Sequence, residues 1–292
     1  MKNNLISAFI GALIAIMTLF NGTLSNTFGN YTSSIIIHVI GLFSITFVLL
    51  ISRSKIKIQK EIPVYLYSAG AIGVFSVVFS NLSFSKLGVS LTLALGLLGQ
   101  SLSSIFIDHF GLLGMKVIKF EKKKCIGLLF IILGIFIMTV FRGGLIMLYL
   151  FIAVLAGASI VAGRIINSNL AEKIGIFQGT LFNYVIGLFF SFIFLFLSNE
   201  SLNITNTRIR SIPLWAYLGG LTGVLVIVLS SYVTPKISSF YLTLIIFIGQ
   251  LFVGIIIDYF TLNKLSLGNL LGGLLVLIGL TYNLLIDKNQ NL

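Results

Sequence analysis

GQSLSSIFIDHF, residues 99–110, sets a glutamine and an aspartate into a run of Leu, Ile and Phe, and GQLFVGIIIDYF, residues 249–260, repeats six of its twelve residues in place. The pair raises two questions: what medium surrounds segments this apolar, and why the pattern returns 150 positions later. Composition answers the first. Of 292 residues 58% are hydrophobic and 9% charged, with a mean hydropathy of +1.12, far from the usage of soluble domains. This is the composition of a multi-pass membrane protein.

Working outward from the two copies, segments near the ~20 residues that cross ~30 Å of hydrocarbon occur at 4–25, 32–52, 63–83, 88–110, 124–141, 144–168, 176–198, 212–232, 238–260 and 266–286. A lipid-exposed backbone must satisfy its own hydrogen bonds, and the alternation of a membrane barrel is missing. The expected fold is therefore an all-α membrane protein with ten transmembrane helices. The first span follows Lys2 but has no small-residue cleavage site and is read as retained. One cysteine, Cys125, excludes an internal disulfide and a cysteine metal cluster, and no cofactor or metal is called for.

The formal charge of +12 resides mostly in short loops, where it reports topology rather than a nucleic-acid partner. With the N-terminus inside, thirteen basic residues fall on the cytoplasmic side, chiefly Arg53, Lys55, Lys57 and Lys60 and then the run from Lys116 to Lys124. Five fall outside: Lys86, Arg142, Arg208, Arg210 and Lys264. Both termini are expected in the cytoplasm, with nearly all the bias coming from the first half.

The recurrence is a duplication. At an offset of 146, Gly11, Asn21, Leu24 and Gly29 match Gly157, Asn167, Leu170 and Gly175, and VIGLF at 39–43 returns at 185–189. At 150, Pro63, Tyr67, Gly70, Gly73 and Lys86 match Pro213, Tyr217, Gly220, Gly223 and Lys236; at 145, Gly127 and Gly134 match Gly272 and Gly279. Matched Asn, Gln, Asp and Pro in order are poorly explained by shared apolar composition. Two five-helix repeats are expected, residues 1–142 and 143–292. Because five is odd, the second repeat must enter the membrane from the opposite side, so the repeats are inverted, a basis for alternating access.

Three features then carry a family resemblance: Asn-x-x-Leu-x-x-x-x-Gly in the first helix of each half, the Pro-started third helices with their Gly pairs, and GQ followed by IDHFG at 99–111. On these the chain resembles the YdcZ-type branch of the drug/metabolite transporter superfamily, as two fused copies covering nearly its whole length. The resemblance implies a central cavity lined mainly by the first, third and fourth helices of each half, and movement of small metabolites, often outward. Members usually carry Gln four residues before the Asn, whereas Met17 and Gly163 stand there in this chain. Small multidrug relatives place a carboxylate in the first helix. The stretch IGALIAIMTLF, residues 10–20, has none, which argues against proton-coupled cation export by that route.

Polar groups within spans should face the interior or pair. At 100° per residue Gln100, Ser104 and Asp108 share a stripe, as do Gln250, Gly254 and Asp258. The two glutamines are read as substrate-binding amides or as packing bonds beside Gly99 and Gly249, readings that are compatible. Asn21 and Asn167 are further substrate-binding candidates. Asp108 with Lys236 and Asp258 with Lys86 are candidate gating ion pairs, one per side; the alternative is that these charges sit in the interface with the lysines snorkelling. Arg164, whose counterpart is Thr18, shares a face with Gly157, Ser168 and Ala171. It either binds an anionic substrate or, as an arginine near the cytoplasmic end, snorkels or pairs with Glu172. His38, aligned with Tyr184, reads as a hydrogen-bonding packing residue. The expected function is secondary transport, with export favoured, of small polar metabolites across a bacterial cytoplasmic membrane, by a chain whose fused halves let it act as a monomer among membrane lipids. The alternative is a passive channel or lipid-translocating protein. An enzyme is not expected, since no H-E-x-x-H, Walker A or Ser/His/Asp set is present.

Overall fold

The computed structural model describes residues 2–52, 62–140, 147–198, 201–202, 204–262 and 267–290, and among these the chain is helical without a strand. The basic segment Arg53, Lys55, Lys57 and Lys60, as well as Arg142 and Lys264, lies outside the described residues. In order come α1 (Lys2–Phe28), α2 (Asn30–Ser52), α3 (Ala69–Phe110), α4 (Lys124–Val140), α5 (Met147–Ile174), α6 (Ile176–Leu197), the short α7 (Asn206–Ser211), α8 (Gly219–Val233), α9 (Ser239–Leu262) and α10 (Leu267–Gln290). Single 3-10 turns, Val64–Ser68 and Leu214–Leu218, lead into α3 and α8, each behind the expected proline.

Among the described residues, seven helical segments are long and apolar enough to cross a membrane, and Lys124–Thr139 and Leu271–Asn283 are shorter apolar helices. One of the seven, Val64–Phe110, has 47 residues. Straight, it would reach ~70 Å, about twice the hydrocarbon thickness. It is not straight: Gly88 stands at φ 71°, ψ −179° inside α3 and breaks the track between the expected spans 63–83 and 88–110. The short α7 was not expected; it is capped by Thr205, whose Oγ1 accepts from the Arg208 N–H at 3.4 Å.

Helix pairs are set by glycines that let one backbone approach another. A β-carbon at Gly11 would strike the Ile246 carbonyl of α9, and one at Gly157 would strike the Gly96 carbonyl of α3. Gly249 lies likewise against Ala8, and Gly99 against Val154. Gly220 abuts the Ile37 carbonyl, and Gly70 abuts that of Asn183. In α4 and α10, Gly127 faces Gly279 and Gly134 faces Gly272. Each contact has a counterpart at the offsets read from the sequence. The apolar interior gathers around α1, α3 and α9, with Ile10, Leu97 and Phe247 fully buried.

Candidate functional site

Two adjoining cavities, about 930 and 600 Å³ when the open solvent they reach is counted, share the walls Ile14, Met17, Asn21, Ser76, Val77 and Ile160. The first runs on past Gly163, Arg164 and Asn167 of α5 and Gly223 to Ser231 of α8. The second is walled by Thr92, Gly96 and Gln100 of α3, Ala153 and Ala156 of α5, and Gln250 of α9. The first, third and fourth helices of each half thus reach the space, as the resemblance implied. The second helices reach it too, through Ile37 and His38 of α2 and Asn183 and Tyr184 of α6.

All five residues expected to bind substrate line these cavities: Asn21 lines both, Gln100 and Gln250 face the second together, and Arg164 and Asn167 face the first. Gln100 and Gln250 are 2% and 1% exposed, each beside a glycine crossing, since Gly157 packs on the Gln100 N–H and Gly11 on that of Gln250. Asn167 donates from Nδ2 to Ser231 Oγ at 2.9 Å. Among the described residues, seven buried polar atoms of the walls have no hydrogen-bond partner: Asn21 Oδ1, Thr92 Oγ1, Gln100 Oε1, both amide atoms of Gln250, Arg164 Nε and Asn167 Oδ1. Buried polar groups are normally paired, so a cluster of orphans around one space marks where a hydrogen-bonding solute fits.

Arg164 turns into the bundle. Its Nη2 donates to Thr243 Oγ1 of α9 at 2.8 Å. Thr243 in turn lies 3.1 Å from Ser104 Oγ of α3, to which Ser239 donates at 3.2 Å. Asp108, 3% exposed, accepts from the Phe240 N–H at 2.9 Å. It thereby satisfies one of the orphan donors in the first turn of α9, where a carboxylate also meets the positive end of the helix dipole. Lys236 is exposed, with Nζ 3.0 Å from the centroid of the Tyr232 ring, and Lys86 is exposed. The side chain of Asp258 lies outside the described residues. His38, 4% exposed, donates from Nδ1 to the Ser34 carbonyl at 2.7 Å and lies 3.2 Å from Ser191 Oγ, between α2 and α6.

Sequence reading did not single out Thr243, Ser239, Ser231, Asn81 or Asn183. A signal existed for the first two: positions 239, 243 and 250 fall on one face of α9, in register with Gln250. The duplication hid it, because the counterparts at offset 150 are Val89 and Leu93.

A family model described as "Putative inner membrane exporter, YdcZ" matches the chain twice, at residues 4–137 and 148–282. One solved structure, a crystal structure of a protein, superimposes with a TM-score of 0.66 at 13% identity, over 99% of this chain and 98% of that one. That likeness concerns the fold. A search of the curated proteins found no match.

Proposed function

The chain belongs to the YdcZ family of inner membrane exporters, within the drug/metabolite transporters, and from that premise we propose that it moves small polar metabolites by alternating access between two inverted five-helix repeats. The observation that carries the proposal is the pair of adjoining cavities walled by buried amides and an arginine that keep unpaired polar atoms. A channel for apolar solutes would have no use for such groups, and their desolvation is costly unless a ligand meets them.

The reading of ten spans divides Val64–Phe110 at Gly88 and counts the two shorter apolar helices with the seven long segments. The repeats are residues 1–142 and 143–292. Supporting the inversion, the glycine contacts come in exchanged pairs: α1 on α9 answers α5 on α3, and α4 and α10 meet through Gly127 with Gly279 and Gly134 with Gly272. Such exchange is what a two-fold relation between halves produces, and swapping the conformations of the halves turns an opening on one face into an opening on the other. Asn21, Asn167, Gln100, Gln250 and Arg164 bind the solute. Asp108, Lys236, Asp258 and Lys86 lie toward the two ends, with both termini in the cytoplasm.

Reconstitution in liposomes tests this reading. Flux of small anions, zwitterions and cations is followed with and without a pH gradient. Saturable flux of a polar solute, reduced at least tenfold in the Gln100→Ala/Gln250→Ala double variant, is expected. Non-saturable leak indifferent to these residues would sink the transporter reading and favour a passive pore.

A further inference from the structure

The hydrogen-bonded chain from Arg164 through Thr243 to Ser104 and Ser239 ties three helices together: α5, α9 and α3. Arg164 is also a wall of the larger cavity, and its buried Nε has no partner. One guanidinium therefore holds α9 with one N–H, lines the solute space and keeps another buried N–H unpaired.

The corresponding place in the other half is built differently. At the offsets of 146 and 150, Arg164, Thr243, Ser104 and Ser239 are replaced by Thr18, Leu93, Gly254 and Val89. There Thr18 donates to the Ile14 carbonyl of its own helix at 2.8 Å. A β-carbon on Gly254 would sit 3.2 Å from Leu93 Cδ1 and 3.8 Å from Val89 Cγ1, so this contact is apolar. One half joins these helices by a charged, directional contact and the other by apolar packing, which no polar solute competes for.

Resting on the transporter reading above, we propose that Arg164 is the recognition site for an oxyanion, a carboxylate or a phosphate, and that capturing it draws the guanidinium from Thr243 and releases α9 from α5 and α3. Guanidinium presents its N–H groups as a fork matched to two anionic oxygens. The Asp108 carboxylate acts on the guanidinium electrostatically while accepting from the Phe240 N–H. The hydrogen bond to α9 goes to a neutral threonine hydroxyl, the weaker acceptor, so an anion entering the cavity wins that hydrogen bond. A cation or neutral solute does not, and leaves this latch shut. The asymmetry thus makes release of α9 depend on substrate charge, since a ligand shifts a two-state equilibrium only by its difference in affinity for the two states.

The test uses the full-length protein with Cys125→Ser and a reporter Leu244→Cys, a fully buried position on α9, labelled by a water-soluble maleimide. Succinate and inorganic phosphate should accelerate labelling, choline should not, and Arg164→Gln should abolish the response. Thr243→Val should speed labelling about tenfold without ligand, the factor that loss of a charge-assisted hydrogen bond produces. Thr243→Ser, which keeps the hydroxyl and controls for folding, should label like the parent. Labelling indifferent to Thr243→Val beside a well-folded Thr243→Ser overturns the latch. Saturable flux of cations or neutral solutes in liposomes, with no labelling response to either anion, overturns the oxyanion assignment and leaves the transporter reading intact. Failure of that reading itself shows separately, as absence of saturable flux of any solute.

Discussion

A β-carbon at Gly175 would meet no atom within 4 Å, yet the backbone there stands at φ 98°, ψ 148°, a region populated almost only by glycine. Gly175 joins α5 to α6 in a single residue, and Gly29, at φ 89°, does the same between α1 and α2. Gly175→Ala should therefore destabilise the protein by about 1–3 kcal/mol through backbone strain alone, read as a lower thermal midpoint in detergent with no steric partner to relieve it. The repeated glycine was legible in the sequence; the reason for it, a positive φ at a one-residue joint, was not, since spacing carries no dihedral. Asp108 teaches the same lesson. Its repetition in the opening motif was plain, but the Phe240 N–H from which it accepts is 132 positions away. Asp108→Ala should cost about 0.5–2 kcal/mol, as loss of a helix cap does, and Asp108→Asn less, because the amide oxygen still accepts. Equal losses in both variants would point to charge rather than capping.

Among the elements, α4 and α10 depend most directly on small residues. A β-carbon on Gly134 would strike the Gly272 carbonyl, and one on Gly272 would strike that of Gly134. Gly134→Leu or Gly272→Leu should each lower stability by about 1–3 kcal/mol, the usual range for overpacking. The two glycines meet across one crossing, so the double variant should lose clearly less than the sum of the single losses. Strict additivity in thermal unfolding would mean that the two helices do not meet there. Helix positions themselves followed from hydropathy, because in hydrocarbon the backbone has no choice but to bond internally. The break near Gly88 was placed by the ends of the expected spans 63–83 and 88–110, but the positive φ that makes it was not legible, since spacing carries no dihedral.

At the scale of the molecule, the contacts that build the cavity cross the boundary between the proposed repeats, α1 with α9 and α5 with α3. Fragments 1–142 and 143–292 expressed together should copurify and restore flux, whereas either alone should lack the cavity walls and unfold at lower temperature. A stable, ligand-binding fragment on its own would count against the exchanged arrangement. The sequence by itself determined the medium, the helices, the family and the duplication, because hydrophobicity and repetition are written locally along the chain. It also marked Asn21, Asn167, Gln100, Gln250 and Arg164, since a polar residue inside an apolar span is conspicuous before any folding is known. Only the tertiary structure decided what those residues touch. Thr243 meets Arg164 across 79 positions, and Ser104 meets Thr243 across 139. Such pairings arise from how helices pack in three dimensions, and hydroxyl residues as ordinary as Thr and Ser carry no mark in the sequence of the partner they will find.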